Sequence, residues 1–476
     1  FKVSEVTIAQ GSRHETRRLS IEHALVDATG DGDIAASLGC SFRFGREGRE
    51  EFKEGFAPEQ PDLNVAGASL IYWLVNTGKP VDFTPPPGTP VYKDASDVVY
   101  GTPPVVRDGR SVVICWATEW GGQLDALRDE DIIYRKLLEQ IYATVDWVKN
   151  RSPQAEAMAN YQLAWISPLL GKRESRRFIG DYTLTQHDLY PQERLFDRVA
   201  YGGFPIDQHE AVPDPERPRI VYYDWPDLYD IPLRALYSKD LDNVMFAGRN
   251  ISGTHVAHGS YRVMKTCGAM GQAVGACAAF CAAYGTTPRG IVRMYLEELQ
   301  QNLLREDATI LSLTNDDPLD LARKAAVSAS SESPDLPAAA VTDGHHRQLA
   351  EAPAHKWVAE GLFPQYVTLH FKRPTTVGAV QLTFDTNLNS YRGAHFAPRA
   401  IPETPKHYRV WLATGGQGEV VAEEEANYQR VRRHEFEPRE AEQLVLEVIE
   451  TNGATQAGVY ELRAYERWPR LAFEGR

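Results

Sequence analysis

Between Asn243 and Tyr284 the chain reads NVMFAGRNISGTHVAHGSYRVMKTCGAMGQAVGACAAFCAAY, and the rest of the molecule is organised around this stretch. A short apolar run ends at Gly248, a loop with two histidines follows, and a long segment of small residues comes next. This order predicts a strand, a loop and a helix. Glycine costs about 1 kcal/mol relative to alanine inside a helix, so a packing or ligand-approach reason is needed for three glycines in one helix. They are Gly268, Gly271 and Gly275.

The start of the predicted helix is a second feature with chemical meaning. Unsatisfied N–H groups and the positive end of the helix dipole make such a start a site for a phosphate or an enolate-like oxygen. Arg249 and Arg262 bracket the loop before it. On these residues alone, a buried structural helix and a cofactor site are equally good interpretations.

Three phrases in the chain resemble the FAD-dependent oxidoreductase family, a bacterial branch of the two-dinucleotide-binding-domain flavoproteins. They are VDATGDGDIAASLGC from Val26, GKRESRRFIGDYTLT from Gly171, and VMFAGRNISGTHVAHGSYRVMKTCGAMGQAVG from Val244. They occur in the family's order and span roughly the first two-thirds of the chain. The resemblance implies an α/β flavoprotein with FAD as its cofactor, in which an α+β substrate domain is inserted into an incomplete, Rossmann-like FAD-binding domain.

One departure from the family concerns the nucleotide end of the cofactor. The family opens with a strand and a G-x-G-x-x-G loop, and an acidic residue follows about twenty positions later. The sequence contains no such strand and loop, and it begins at Phe1 in what its alternating pattern predicts to be a β-hairpin. We therefore expect an N-terminal FAD-binding segment as a partner, whether a separate polypeptide, a proteolytically released piece or a segment outside the given chain.

The resemblance also implies which residues contact the cofactor. Gly30 and Asp31 are the expected dinucleotide contacts in the first phrase, although spacing alone favours an acidic turn before a helix capped by Asp33. The expected contacts in the last phrase are Gly248, Arg249, Gly271, Gln272 and Ala273.

A cationic cluster lies within the second phrase, where Arg173, Arg176 and Arg177 occur close together. In a chain of formal net charge -14, such a cluster predicts a face for an anionic group of the substrate, because arginine binds carboxylate or phosphate bidentately. A solvated helix start with local pairing to Glu174 and Asp181 fits the spacing equally well. The resemblance favours a role near the flavin.

The chemistry that the family implies is hydride transfer from a substrate C–H bond to flavin N5. The substrate hydroxyl must then lose a proton, and histidine suits this task near neutral pH. His258 is the first candidate for the base and His255 the second, and the alternative is that they only bond backbone carbonyls. Arg262 is expected to stabilise the reduced, anionic flavin together with the helix dipole.

Composition excludes several classes of function. The chain has 51 Lys and Arg against 65 Asp and Glu, which argues against a nucleic-acid partner. No apolar run approaches the length of a membrane span. Five cysteines without C-x-x-C spacing predict neither a disulfide framework nor a zinc site, so no metal is expected.

The composition changes after Leu313, and short alternating segments between 366 and 465 predict an all-β sandwich. The phrases QYVTLHFKRPTTVGAVQLTF and AGVYELRAYE resemble the discoidin-like, galactose-binding-like jelly roll. The expected domains are 1–44 as part of the FAD-binding domain, 45–240 as mainly the substrate domain, 241–313 as the C-terminal part of the FAD-binding domain, and 314–476 as the sandwich.

The leading hypothesis is an FAD-dependent oxidoreductase that acts on a CH–OH or other C–H group of a small molecule, with a carbohydrate or glycoside as one candidate. Aromatic and polar runs from Tyr201 to His209 and from Tyr222 to Trp225 either stack on sugar rings or simply pack. The alternative is a non-catalytic carbohydrate-binding or scaffold protein with a degenerate flavoprotein domain. The compartment stays open, although the sugar-binding-like domain favours a periplasmic or secreted location.

Overall fold

A computed structural model describes residues 1–10, 15–98, 111–114, 118–191, 193–209, 220–349, 354–388 and 400–471. The chain forms two compact units, Phe1–Leu296 and Glu297–Arg476. The first unit is mixed α/β and the second is dominated by one large β-sheet. The predicted fold class, an α/β region followed by an all-β sandwich, is thereby confirmed.

The elements of the first unit follow in chain order. Its strands are β1 (Glu5–Gln10), β2 (Glu15–Ser20), β3 (Leu25–Asp27), β4 (Phe42–Arg43), β5 (Ala68–Ser69), β6 (Tyr72–Asn76), β7 (Val112–Ile114), β8 (Glu119–Trp120), β9 (Tyr161–Ile166), β10 (Arg177–Phe178), β11 (Arg198–Gly202), β12 (Asp207–His209), β13 (Ile220–Tyr222), β14 (Tyr229–Pro232) and β15 (Val244–Phe246). Its helices are α1 (Asp33–Ser37), α2 (Arg49–Phe52), α3 (Glu130–Asn150), α4 (Ala155–Met158), α5 (His255–Tyr261), α6 (Met264–Tyr284) and α7 (Pro288–Met294).

Two strand pairs position the candidate site. β1 and β2 form the antiparallel hairpin that the alternating pattern predicts. β3 pairs in parallel with β15, so that Asp27 lies opposite Phe246 and the two following loops start side by side. The carboxyl ends of parallel strands are where open α/β sheets bind their ligands.

The inserted region has a core of its own. β6 lies between β7 and β9 in a three-stranded antiparallel sheet. α3 buries Ile133, Leu137, Ile141 and Val145, which recur at helical spacing, in the same cluster as Tyr72 of β6. Burial of one face per element is the main stabilising force for this region.

The stretch from Asn243 differs from its prediction in one respect. We expected both histidines in a loop before one helix, but the structure has two helices, and His255 and His258 lie on the first of them. The side chain of Thr254 caps α5 by accepting a hydrogen bond from Ala257 N at 3.2 Å. Val263 is extended, with φ -70° and ψ 147°, and this breaks the helix before α6.

α6 packs against β3, β11 and α7. It buries Met270, Val274 and Phe280, which explains its place in the interior of the unit. Among the described residues, it is also the one helix that is long and apolar enough to cross a membrane, by length and composition only. This is weak support for a span, because core helices of soluble proteins meet the same criterion.

The second unit contains α8 (Leu296–Arg305) and a seven-stranded sheet. Its strands are β16 (Ala326–Ala329), β17 (Trp357–Val358), β18 (Gln365–Phe384), β19 (Pro405–Thr414), β20 (Gln417–Glu424), β21 (Val431–Thr451) and β22 (Gly458–Tyr465). They are ordered β17-β22-β18-β21-β19-β20, with β16 paired to β18. The segments 366–371 and 377–384 belong to one strand, β18, which has register shifts after His370 and Val377. Both halves of β18 contribute to one core, in agreement with a folded-over, sandwich-like sheet.

The second unit starts earlier than the expected boundary at residue 314. Residues after Glu297 are bound to the sheet: Gln381 Nε2 donates to Arg305 O at 2.8 Å, and Arg433 pairs with Glu306 at 3.0 Å. The helical segment from Pro288 to Arg305 is divided into α7 and α8, because Tyr295 leaves the helical conformation with φ -134°. Long-range contacts of this kind are not visible in local composition.

Candidate functional site

The corner that follows β3 is held by its own side chains. Asp27 Oδ1 accepts hydrogen bonds from Thr29 N at 3.0 Å and from Thr29 Oγ1 at 2.7 Å, and Asp27 Oδ2 accepts one from Ala35 N at 2.7 Å. Gly30 and Gly32 have φ values of 83° and 71°, which favour glycine. The first residue of α1 is Asp33, with Gly32 in the cap position and no side-chain cap, so the spacing-based expectation of an Asp33 cap is wrong.

Arg249 lies directly against this corner. A Cβ atom on Gly30 would lie 2.1 Å from Arg249 Nη1, so a side chain at this position would displace the guanidinium. Arg249 forms an ion pair with Asp31, which also contacts Lys172 Nζ at 2.8 Å and Ser175 Oγ at 2.8 Å. Burial raises the pKa of Asp31, but the hydrogen bond from Lys172 and the charge of Arg249 outweigh it, and the net pKa is lowered.

The structure thus brings together three of the predicted cofactor contacts, Gly30, Asp31 and Arg249. Gly248, with φ 133°, directly precedes Arg249 in the loop after β15. The other three predicted contacts lie on α6 and are divided between its two faces. Gly271 is half-buried and Gln272 exposed, whereas Ala273 is fully buried and packs into the unit.

The glycines of α6 lie on an uncovered face. A Cβ atom on Gly268, Gly271 or Gly275 would meet no heavy atom within 4 Å in the described chain. The first turn of α6 has no side-chain cap, and Met264 is 85% exposed. The helix start is therefore not blocked by its own side chains, and packing within the described residues does not explain the glycines.

The start of α5 is connected to a buried ion-pair network. His255 Nδ1 lies 2.9 Å from Glu174 Oε2, and His255 N donates to Glu47 Oε2 at 2.8 Å. Arg177 pairs with both carboxylates, at 3.0 Å from Glu174 and 2.8 Å from Glu47. Burial raises the pKa of Glu174, but its interactions with His255, His258 and Arg177 outweigh this effect and hold that pKa well below its usual range.

His258, the first candidate for the base, lies deeper in the protein. It is 1% exposed, and its Nδ1 is 4.0 Å from Glu174 Oε1. Its Nε2 has no hydrogen-bond partner among the described residues, and its ring meets the ring of Tyr261 edge-on at 5.5 Å. Burial is the main reason that the pKa of His258 is well below its ordinary value, so the ring is neutral near pH 7.

A second network runs from Arg262 to Arg173. Arg262 Nη2 lies 2.9 Å from Asp207 Oδ2, and the ring of His209 lies between Asp207, at 3.2 Å, and Glu119, at 2.7 Å. Arg173 completes the chain at 3.4 Å from Glu119. Burial raises the pKa of Asp207, but the hydrogen bond from His209 and the charge of Arg262 outweigh this effect and lower it.

The three arginines predicted to bind substrate are all used inside the protein. Arg173 donates to Gly67 O at 2.7 Å, and Arg176 pairs with Asp33 at 2.7 Å and donates to Asp31 O at 3.0 Å. Arg177 has no exposed surface and also donates to Gly253 O at 3.0 Å. Each guanidinium already has protein acceptors, and none lines the cavity described next.

A cavity of about 340 Å³ opens beside the start of α5. His255 lies on its wall, whereas His258 does not. Phe56 and Tyr223 contribute stacked rings whose centroids are 4.8 Å apart. The lining residues are Arg46, Arg49, Gly55, Phe56, Ala57, Pro58, Gln208, His209, Tyr223 and His255.

Sequence reasoning missed Arg49 and Gln208 as site residues. Arg49 begins α2, and Gln208 is in the middle of β12, so neither belongs to a recognised phrase. The one available signal was the aromatic and polar character of the two runs that contain His209 and Tyr223. Both residues do line the cavity.

Other clusters of chemically capable side chains lie in the second unit. His345 and His355 stack with centroids 3.7 Å apart beside a cavity of about 210 Å³. His407, Glu423 and Glu425 are close enough to bind a metal ion, but the two glutamates are exposed and Arg409 already pairs with Glu423 at 2.7 Å.

Comparison with known proteins gives one family match. The family described as FAD dependent oxidoreductase matches residues 3–303, more than half of the chain. No curated protein matches the sequence.

Solved structures similar to the C-terminal part include carbohydrate-binding modules. The family 32 module of C. perfringens NanJ, solved with galactose, is 19% identical, with a TM-score of 0.25, and the match covers 31% of this chain and 98% of that chain. The family 32 module of Streptococcus pneumoniae EndoD is 16% identical, with a TM-score of 0.26 and coverages of 31% and 99%. Chitosan-binding module 1 from Paenibacillus sp. IK-5 is 16% identical, with a TM-score of 0.25 and coverages of 31% and 98%. The ligands of these modules are properties of those proteins and are not assigned to this chain.

Proposed function

The chain belongs to the FAD dependent oxidoreductase family, and we propose that it oxidises a CH–OH group of a small molecule in the cavity beside α5. The observation that carries this proposal is the placement of His255. Its Nδ1 is 2.9 Å from a fully buried carboxylate, Glu174, and its ring lies on the cavity wall. A histidine oriented by a carboxylate and open to a ligand is the usual arrangement of a general base.

FAD is the cofactor of this family, and the described residues fit it. The corner at Gly30 and Asp31, Arg249 beside it, and the uncapped first turn of α6 would hold the group. The bare glycines of α6 support this assignment, because they allow main chain to approach a flat ring closely. When bound, FAD supplies a hydride acceptor at its N5 atom.

The proton of the substrate hydroxyl moves to His255. With Nδ1 facing Glu174, the remaining nitrogen, Nε2, has no hydrogen-bond partner among the described residues and is available for this proton. Glu174 stabilises the imidazolium that forms, and Arg177 keeps Glu174 ionised and in place. Loss of the O–H proton and of the C–H hydride together convert the alcohol to a carbonyl.

His258 takes a supporting role in this proposal, which reverses the order of preference drawn from the sequence. It is buried against Tyr261 and does not line the cavity, so its neutral ring fills space behind Glu174. Arg262 remains the candidate for charge stabilisation near the flavin, because it lies two residues before α6 and is held by Asp207 at 2.9 Å.

A partner segment is the second part of the proposal. In the described chain, β3 and β15 pair only with each other as strands, and the glycine face of α6 is uncovered. These surfaces suit the nucleotide-binding strands and glycine loop that the family carries at its N-terminus. We propose that such a segment, from the same gene product or another chain, covers α6 and binds the pyrophosphate.

A spectroscopic experiment tests the proposed function. The purified protein is titrated with FAD and then mixed anaerobically with a panel of alcohols, sugars and hydroxy acids. The expected result is a bound-flavin spectrum that at least one compound bleaches. A protein that stays colourless at saturating FAD, or a flavin that no compound reduces, would contradict the proposal; glycan binding by a colourless protein would favour the non-catalytic alternative.

A further inference from the structure

The cavity beside α5 has an unusual charge pattern for this protein. The chain carries 65 acidic residues, yet none of the ten described residues that line the cavity is Asp or Glu. Two of them are arginines and two are histidines. A ligand there would meet mainly hydrogen-bond donors and positive charge.

The two arginines of the wall are not equivalent. Arg46 is neutralised by Asp62, to which its Nε donates at 3.0 Å. Arg49 has no ion pair with a carboxylate among the described residues, and its hydrogen bond to Ala57 O is long at 3.4 Å. One guanidinium therefore keeps its charge and most of its donors for a ligand.

Gln208 gives a second, independent indication of a ligand. The residue is more than nine-tenths buried, and its Nε2 has no acceptor among the described residues. A buried donor without a partner costs free energy, which a bound acceptor would recover. An acceptor oxygen in the cavity would satisfy it.

We infer that the cavity binds a hydroxy acid, with the carboxylate of the ligand on Arg49 and Gln208 and its hydroxyl facing His255. A single unneutralised guanidinium matches the single charge of a carboxylate better than the higher charge of a phosphate ester. The stacked rings of Phe56 and Tyr223 supply a flat apolar wall for the carbon skeleton. The substrate class rests on the proposed function, because it assumes that His255 is the base.

The reaction balances without any further reactant. The C–H electron pair leaves as hydride to FAD, which is reduced, and the O–H proton goes to His255 Nε2. The carbinol carbon forms a C=O double bond and the carboxylate is unchanged. The product is an oxo acid.

The test compares ligands with one carbon skeleton and different charge. Binding of gluconate, glucose and glucose 6-phosphate to the FAD-loaded protein is measured by calorimetry, and glycolate is compared with ethylene glycol for a smaller skeleton. The variants are Arg49→Gln and Arg49→Lys, with Arg128→Gln as the control, because Arg128 is an exposed arginine with the same charge change.

We expect at least one carboxylate to bind about tenfold or more tightly than its neutral counterpart. Arg49→Gln should remove this preference, Arg49→Lys should restore part of it, and Arg128→Gln should leave it unchanged. Equal affinity for charged and neutral ligands, no binding of either carboxylate, or full affinity in Arg49→Gln would overturn the inference. Tighter binding of the phosphate ester would also overturn it.

Failure of the proposed function gives a different result. Binding of carboxylates that depends on Arg49, in a protein whose flavin is never reduced, would leave the anion site in place and refute the oxidation. Reduction of the flavin by neutral alcohols alone would support the oxidation and refute the carboxylate site.

Discussion

The two helices that follow β15 differ in how completely their surroundings are built. The start of α5 is surrounded by matched charges, since Arg177 pairs with both Glu47 and Glu174, and His255 pairs with Glu174. The exposed face of α6 has no such partners, and the space over Gly268, Gly271 and Gly275 is empty within the described chain. Under the proposed function, the charges on the substrate side come from this chain, whereas the glycine face of α6 is left open for a group or segment that covers it.

Removal of the central charge under α5 should have the largest effect on stability. Arg177→Met leaves Glu47 and Glu174 buried without their cation, so we expect a loss of about 3–5 kcal/mol in the free energy of unfolding. Urea unfolding of the first unit measures this loss. The exposed pair of Arg128 with Asp125 is the control, since Arg128→Gln should change stability by less than about 1 kcal/mol. A near-neutral Arg177→Met would show that the network is not a structural requirement.

The pH dependence of stability sharpens the comparison on the α5 side. The pKa of His258 is well below its ordinary value of 6.5 in the folded state, because the ring is buried. On acidification, His258 is therefore protonated in the unfolded chain before it is protonated in the folded protein. The contribution of the neutral ring to the free energy of unfolding is complete above about pH 6.5 and is lost as the pH falls. At pH 5.5 the loss reaches about 1.4 kcal/mol.

His258→Gln should remove this part of the pH dependence. The difference between unfolding free energies at pH 7.5 and pH 5.5 should be smaller in the variant by about that amount. His346 in the second unit, whose pKa burial lowers to about 4, offers a matched substitution with the same sign. An unchanged pH slope for His258→Gln would mean that the ring is not held neutral.

A substitution on the glycine face of α6 should have a smaller effect. It should raise the free energy of unfolding and lower the affinity for FAD. Gly271→Ala places a methyl group in open space, so the protein without cofactor should gain up to about 1 kcal/mol from helix propensity. FAD binding should weaken, because the methyl group occupies the approach to the helix. Gly275→Ala, one turn farther along, should give the same stability gain with less effect on FAD affinity. Equal FAD affinity for wild type and Gly271→Ala would remove this face from the cofactor site.

Local patterns predicted much of the fold. The hairpin of β1 and β2, the stripe of α3 and the strand at β15 follow from alternation, helical period and an apolar run, and each needs only near neighbours in sequence. Helix α5 was not predicted, because a helix of seven residues is too short to show a clear helical period. The continuity of β18 was also hidden, since it depends on pairing with β21 and β22.

The candidate site was predicted in part. The last family phrase contains His255, and the first contains the corner that Arg249 contacts. Burial was not predictable: Arg177 pairs with Glu47, which is 130 positions away, and no local pattern distinguishes that arginine from Arg49 on the cavity wall. Which charged residue meets a ligand depends on the tertiary structure, and the composition of the segment gives only the candidates.

The rate of flavin reduction in His255→Asn tests the central claim most directly. The variant is loaded with FAD and mixed anaerobically, in a stopped-flow instrument, with a compound that reduces the wild-type flavin; His258→Asn serves as the matched control. We expect His255→Asn to keep its bound flavin and to react at least about 100-fold more slowly, with a smaller change for His258→Asn. A flavin reduced at the wild-type rate in His255→Asn would contradict the assignment of the base.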